Sequence, residues 1–276
     1  MCCNQSPSVQ YVVNIVGQPI VLAIDADLER QFSAFFRQVF PESQREPITK
    51  TPCIWIGRTE RTDLPTGVRQ VVCRTDSESW PFELLTTLEG HLLQIVRQTA
   101  FHGAALAREG RTLLLLGERK SGKSTLTHFL TLHDWCLVDD DCCFYAQGIL
   151  SGTGFPLRLR RCLYPESDIF WQCVDTDGEE RRFIFPRQRI MHSSAPFFLI
   201  FPHYEPNAEF RTEKIDRQSL FSHLILNVRY TPSGPHRIRD LSDFIRRTAS
   251  AYHATYSQCE SVATWIQDIT ERWSPE

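Results

Sequence analysis

Short β-forming runs dominate the first ninety residues. Val9 to Val16 and Ile20 to Ile24 read as two strands, and Gly17-Gln18-Pro19 supplies the turn between them. A helix-like stretch from Leu28 to Val39 follows, with Ile54-Trp55-Ile56 and Val68 to Cys73 as further strands. From Pro81 to Thr99 the period changes. Leu84, Leu85, Leu88, Leu92, Ile95 and Val96 fall on one helical face, suited to packing on a sheet. The pattern predicts a small α+β region over residues 1–95, serving as scaffold or substrate-docking surface, joined by this helix to a second domain over 96–276.

In the second domain, Phe101-His102-Gly103-Ala104-Ala105-Leu106 reads as a strand that turns through Arg108-Glu109-Gly110-Arg111 into Leu113-Leu114-Leu115-Leu116. A helix follows over Leu126 to Leu132, and Trp135-Cys136-Leu137-Val138 is a short strand ending in Asp139-Asp140-Asp141. Apolar spacing places C-terminal helices over Ser219 to Tyr230 and Leu241 to Tyr252. The expected fold class is α/β. The chain has no internal repeat and no low-complexity tract.

Between the leucine run and the next helix, Gly117-Glu118-Arg119-Lys120-Ser121-Gly122-Lys123-Ser124-Thr125 fills the G-x-x-x-x-G-K-[ST] pattern. Such a loop lets backbone N–H groups converge on phosphate oxygens, and the following helix aims its positive N-terminus at the same anion. Lys123 would reach the β and γ phosphates and Ser124 would hold Mg²⁺. A nucleotide, ATP or another nucleoside triphosphate, is the expected ligand.

His102 lies on the neighbouring strand, near the phosphates, and the three acids end a strand beside the loop, where carboxylates serve Mg²⁺ or proton transfer. Three adjacent acids would repel one another without a cation. Taken singly, a half-buried histidine and a solvated acidic turn explain these residues equally well; their joint placement around one loop favours a site.

The segment Phe101 to Tyr145 resembles the kinase domain of the HPr kinase/phosphorylase family, with its His-containing strand, hairpin, phosphate loop, helix and strand ending in paired acids. His102 stands 21 residues before Lys123 and Asp141 stands 18 after it, as that resemblance requires. Phe198-Leu199-Ile200-Phe201-Pro202-His203-Tyr204-Glu205-Pro206 and Ala208-Glu209-Phe210-Arg211 are similar to the downstream F-P-x-Y-x-P segment of shorter HPr-kinase-related proteins, some of them associated with modified-peptide biosynthesis. The likeness is strongest over residues 95–270. It implies a phosphate-loop kinase domain of the HPr kinase and PEP carboxykinase-like type beside the smaller N-terminal domain. It also implies Asp141 as general base, Asp140 as its partner or a Mg²⁺ ligand, His102 as the group orienting that acid, and Lys123 with Ser124 and its metal offsetting charge on the transferred group. Homo-oligomers occur in that family.

Two departures bear on substrate. The family's metal-holding Glu has no counterpart in Gly154-Phe155-Pro156-Leu157-Arg158-Leu159-Arg160; Glu166 is the nearest acid. The P-G-R-N signature that couples kinase and phosphorylase activities is echoed only by Thr231-Pro232-Ser233-Gly234-Pro235-His236-Arg237. The resemblance therefore does not extend to an HPr substrate or to the reverse reaction, both of which stay open. The charged segment Asp175-Thr176-Asp177-Gly178-Glu179-Glu180-Arg181-Arg182 reads as a solvated loop, or as a lid whose Arg181, Arg182 or Arg187 closes on phosphate. Arg211 is a further phosphate candidate. Leu150-Ser151-Gly152-Thr153-Gly154 mimics a transporter-ATPase signature but stands only 27 residues after Lys123, and reads as a loop between strands. No N-K-x-D guanine motif is present.

With a net charge of -3 over 276 residues, the chain offers no electrostatic case for nucleic acid. No apolar run approaches the ~18 residues of a membrane span, and the start lacks signal-peptide order, so a cytoplasmic location is expected. The ten cysteines never form C-x-x-C and read as reduced, small hydrophobes; Cys2-Cys3 is a short acylation-like pair. The expected function is a Mg²⁺-dependent kinase acting on a Ser or Thr hydroxyl of a protein or peptide, such as a ribosomally made precursor. A nucleotide-gated binding protein without efficient transfer, and a small-molecule kinase or carboxykinase-like enzyme, are the alternatives.

Overall fold

A computed structural model describes residues 8–31, 33–39, 44–46, 54–58, 62–72, 79–160, 169–175, 177–230 and 235–273. Cys2, Cys3, Glu166, Thr176 and residues 231–234 lie outside the described residues. The fold is mixed α/β with several sheets, and the chain divides into two compact units: Met1–Leu92 with Trp171–Arg182, and Leu93–Phe170 with Phe183–Glu276.

In the first unit, β1 (Ser8–Ile15) and β2 (Gln18–Asp25) form a hairpin. Its turn is Val16-Gly17, both left-handed, which is the two-residue geometry that matches strand twist. The turn expected at Gly17-Gln18-Pro19 is thus one residue early, and Pro19 sits inside β2. It is tolerated because β2 pairs with its other neighbour only from Leu22 onward. Helices α1 (Ala26–Gln31) and α2 (Ser33–Val39) precede β3 (Gln44–Glu46), β4 (Ile54–Gly57) and β5 (Arg69–Val72). The sheet order is β3-β1-β2-β4-β5. Helix α3 (Trp80–Ile95) buries Leu84, Leu85, Leu88 and Leu92, the apolar face read from the sequence, and ends before Thr99.

The second unit begins with β6 (Thr99–Phe101), β7 (Gly103–Arg108), β8 (Arg111–Leu116), α4 (Lys123–Thr131), β9 (Cys136–Asp140), β10 (Cys143–Ala146), β11 (Ile149–Ser151) and β12 (Leu157–Leu159). After β13 (Ile169–Val174) and β14 (Glu180–Ile184) come β15 (His192–Ser194), β16 (Phe197–Tyr204), β17 (Arg211–Lys214), α5 (Arg217–Leu226), β18 (Val228–Tyr230), α6 (Pro235–Arg246), β19 (Thr248–Tyr256) and α7 (Cys259–Glu271). Its main sheet runs β17-β19-β16-β8-β7-β9 and a second runs β15-β11-β10-β6-β18.

Alternation along the main sheet explains its burial on both faces. Leu113, Leu115, Phe198 and Ile200 pack with Leu126 and Leu130 of α4 and Val262 and Ile266 of α7. Leu114, Leu116, Leu199 and Phe201 pack with Leu220 and Leu224 of α5, Leu241 and Phe244 of α6, and Phe101 and Tyr145 of the second sheet. A strand covered on both sides reads as a continuous apolar run, as β8 does.

Two expected helices end early. Helix α5 stops at Asn227, after which Val228–Tyr230 is a strand; and Thr248 onward is not helix but β19, a strand flanked on both sides. Its β-branched and aromatic residues suit a sheet better than a helix. Pro202 is accommodated in β16 because pairing with β8 has ended at Ile200.

One antiparallel ribbon passes through both sheets. Strands β7 and β9 pair in the main sheet, and β6 and β10, their direct neighbours in sequence, pair in the second. The expected single strand over 101–106 is therefore two strands broken at His102. Opposite it, Asp141 and Cys142 separate β9 from β10, and Asp141 takes a positive φ of 96°.

Candidate functional site

Strands β8, β16, β19 and β9 all run in one direction, with β7 antiparallel between β8 and β9. Their C-terminal ends therefore share one edge. The 117–122 loop leaves β8 there, and α4 begins at Lys123.

Gly122 is the N-cap of α4, at φ 94°, and no side chain caps the helix. A Cβ here would lie 2.3 Å from the Tyr256 hydroxyl and 3.0 Å from Tyr204 Cβ, so only glycine fits. Tyr256 donates its hydroxyl to the Gly122 carbonyl at 3.2 Å, and the Tyr204 N–H donates to the Ser121 carbonyl at 3.0 Å. On the opposite flank, the Gly117 N–H donates to Asn227 Oδ1 at 2.8 Å. The buried Ser121 hydroxyl has no hydrogen-bond partner. An uncapped helix start beside an orphaned hydroxyl fits a phosphate group, which accepts from both.

Lys123 is 8% exposed, and its Nζ donates to the carbonyls of Gly117 at 2.6 Å and Glu118 at 2.8 Å. Burial lowers its pKa, opposed by the charges of Asp140, Asp141 and Glu118.

The three acids do not crowd one point. Asp139 is structural: it accepts from the backbone N–H of Thr153 and from its hydroxyl at 2.6 Å, anchoring the chain after β11. The 150–154 segment, expected as a loop between strands, is the end of β11 and the start of the loop to β12, anchored here through Thr153; Gly152 is required there, since a Cβ would meet the Val138 carbonyl at 1.9 Å. Asp140 alternates to the other face and accepts from the Ser124 hydroxyl at 3.3 Å. Asp141 accepts from His102 Nδ1 at 2.8 Å and from Arg158 Nη2 at 2.8 Å, with Arg229 Nη1 3.9 Å away.

These environments push the two site acids apart. Burial, then the Asp141 charge, raises Asp140 to about 6, against the lowering effects of Arg158, the Ser124 hydrogen bond and Lys123. At Asp141 burial is the largest influence and raises the pKa. It is outweighed by the His102 hydrogen bond and the Arg158, Arg229 and His102 charges, which hold the carboxyl well below the usual range. Ser124 and Asp140 are the oxygen pair that could hold a divalent cation beside a phosphate; Mg²⁺ commonly takes few protein ligands. Among the described residues no group of three or more His, Cys, Asp or Glu is placed to hold a metal unaided.

Sequence reasoning brought Lys123, Ser124, His102, Asp140 and Asp141 to one edge, but missed Arg158, Arg229, Asn227 and Tyr256. The stretch 154–160 holds no acid and supplies a cation, Arg158, instead. Arg229 also reaches the Asp141 carbonyl at 3.4 Å.

The phosphate-binding arginines expected around 180 are placed differently. Arg181 belongs to the first unit, is 6% exposed, and pairs with Asp175 and Glu179 beneath the Phe82 ring. Both acids belong to its own hairpin. Arg182 pairs with Glu180 at 3.2 Å. Arg187 is exposed after β14, outside the cluster around Asp141. Arg211 is exposed at the start of β17, opposite Thr255, at the same edge as the loop. Among the described residues Cys136, Cys142, Cys143, Cys173 and Cys259 are free thiols, and burial raises Cys143. No helix among the described residues is long and apolar enough to cross a membrane.

No family model matches the chain, and no curated protein matches it in sequence. Among solved structures, the HPr(Ser) kinase/phosphatase from Coxiella burnetii is similar over 63% of this chain and 97% of its own, at 14% identity and a TM-score of 0.30. At that level of similarity, the case for a function is made by the side chains at this edge.

Proposed function

We propose that the chain is a Mg²⁺-dependent kinase that transfers a phosphoryl group from ATP to a Ser or Thr hydroxyl of a protein or peptide. One observation carries the reading: the 117–125 loop, the Ser124–Asp140 pair and the His102–Asp141–Arg158 cluster lie side by side at one sheet edge. A protein that merely binds nucleotide needs the first of these and not the last.

In this reading the loop N–H groups and the Ser121 hydroxyl receive the phosphates, and Lys123 turns from the loop carbonyls toward them. Bound between Ser124 and Asp140, Mg²⁺ would supply charge neutralisation. Asp141 positions the acceptor hydroxyl and takes its proton as the new oxygen–phosphorus bond forms and the bond from the γ phosphorus to the β-phosphate oxygen breaks, releasing ADP. Each carboxylate oxygen keeps a lone pair beyond the ones used by His102 and Arg158. The low basicity of Asp141 is compatible with late proton transfer, since positioning supplies most of the acceleration. His102 and Arg158 act through Asp141 by fixing its plane.

A second reading, a nucleotide-gated regulatory protein, is favoured by the arginines at Asp141, because an acid held by Arg158 with Arg229 beside it is a poor base. Radiolabel transfer from γ-labelled ATP and Mg²⁺ to candidate peptides separates them. Label on Ser or Thr, lost in Lys123→Ala and Asp141→Asn, supports the kinase. Tight nucleotide binding with no transfer, unchanged in Asp141→Asn, supports the regulator.

A further inference from the structure

The main sheet gives the loop two unlike flanks. On one side, two strands away, β9 brings Asp140 and Asp141 to the edge; on the other, β16 and β19 bring Tyr204 and Tyr256. Accepting the loop as a phosphate cradle, the end of the nucleotide that reacts must face the acids, so the nucleoside must leave across the β16 flank.

That flank carries an exposed aromatic. Tyr204 is 47% exposed at the end of β16, while its backbone and Cβ are fixed against Ser121 and Gly122. Its ring meets the buried Tyr256 edge to face, centroids 5.8 Å apart at 72°. Tyr256 in turn is tied to the Gly122 carbonyl. One ring is thus spent on holding the loop, and the other is buttressed by it with a surface left open to solvent. Leaving an aromatic half exposed forgoes burial that a core position would supply, and a flat π surface beside an anion cradle suits a nucleobase.

We infer that Tyr204 is the stacking platform for the base of the bound nucleotide. This rests on the phosphate-cradle reading and adds to it the place and chemistry of the nucleoside half. The contact is made through a π face, so it tolerates any base, and the hydroxyl of Tyr204 is dispensable.

The test is calorimetric binding of Mg-ATP and of magnesium tripolyphosphate, which shares the anion and lacks the base. The variants are Tyr204→Ala, Tyr204→Leu, Tyr204→Phe and Lys123→Ala. Tyr204→Ala and Tyr204→Leu should weaken ATP about tenfold or more and leave tripolyphosphate within about twofold, and Tyr204→Phe should match the wild type. Lys123→Ala should weaken both ligands. Unchanged ATP affinity in Tyr204→Leu, or an equal loss for both ligands, would overturn the platform. A wild type that binds tripolyphosphate as tightly as ATP also overturns it while sparing the cradle. Binding of neither ligand by the wild type overturns both.

Discussion

Asn227 accepts the Gly117 N–H on its side-chain oxygen at 2.8 Å, so the C-terminal cap of α5 holds the first residue of the loop that follows β8. The same residue donates its amide to the His223 carbonyl at 2.8 Å, and its backbone carbonyl accepts from the His102 N–H at 2.7 Å. Loop, helix end and site histidine share one anchor. Asn227→Ala should therefore cost on the order of 1–3 kcal/mol, the penalty for stranding a donor, in urea unfolding. Asn227→Asp, which keeps the acceptor for Gly117, should lose less. Equal losses in the two variants would show that the Gly117 bond contributes nothing.

Asp140 makes stability fall with rising pH. Its folded pKa, about 6, is above its ordinary 3.8. Its contribution is thus fully present below about pH 4 and is lost as pH rises through 6. Asp140→Asn should stabilise the protein at pH 7.5 by on the order of 2–3 kcal/mol. The gain should shrink as pH falls below 6. Urea midpoints across pH 4–8 measure it, and a gain independent of pH would mean that Asp140 is not the titrating group.

Asp141 has the opposite sign. Its depressed pKa contributes stability that is present above about pH 4 and lost as the solution becomes more acidic. Asp141→Asn should lower stability at pH 7 and flatten the acid limb of the unfolding profile. Matching profiles for wild type and variant would contradict the ion-pair account.

Arg158 is 9% exposed, and its charge lowers both acids. In Arg158→Met both carboxyls should titrate higher. The acidic limb of the transfer rate should move to higher pH, and the maximal rate should fall more than ATP affinity. A variant whose pH profile coincides with that of the wild type would remove Arg158 from the site.

Gly122→Ala forces a Cβ to within 2.3 Å of the Tyr256 oxygen at a left-handed backbone. Nucleotide binding should be lost. Tyr256→Phe, which removes the hydroxyl from that contact, should not restore it, because the backbone strain remains at about 1–3 kcal/mol. Recovery in the double variant would show that crowding alone excludes a side chain.

What could be read from the chain was local. The leucine run, the 117–125 pattern and the apolar face of α3 each lie within a few residues, so their spacing suffices. Asp141 and His102 stood out through their distances from Lys123. Asn227 meets Gly117 across 110 residues, Arg229 meets Asp141 across 88, and Tyr256 meets Gly122 across 134, so no spacing announces them. The start of β19 reads as helix because its buried residues Thr248, Ala251 and Ala254 recur every third position instead of alternating. Its neighbours decide its conformation, and they come from other parts of the chain.

The ribbon that turns between two sheets at His102 and Asp141 has a consequence for how such a protein can change length. Successive residues face opposite ways, so deleting residue 102 alone would exchange the two buried faces of β6 relative to β7 and take Phe101 out of the cluster in which it packs. Sequence variation at this corner must therefore come in compensated pairs, one on each strand.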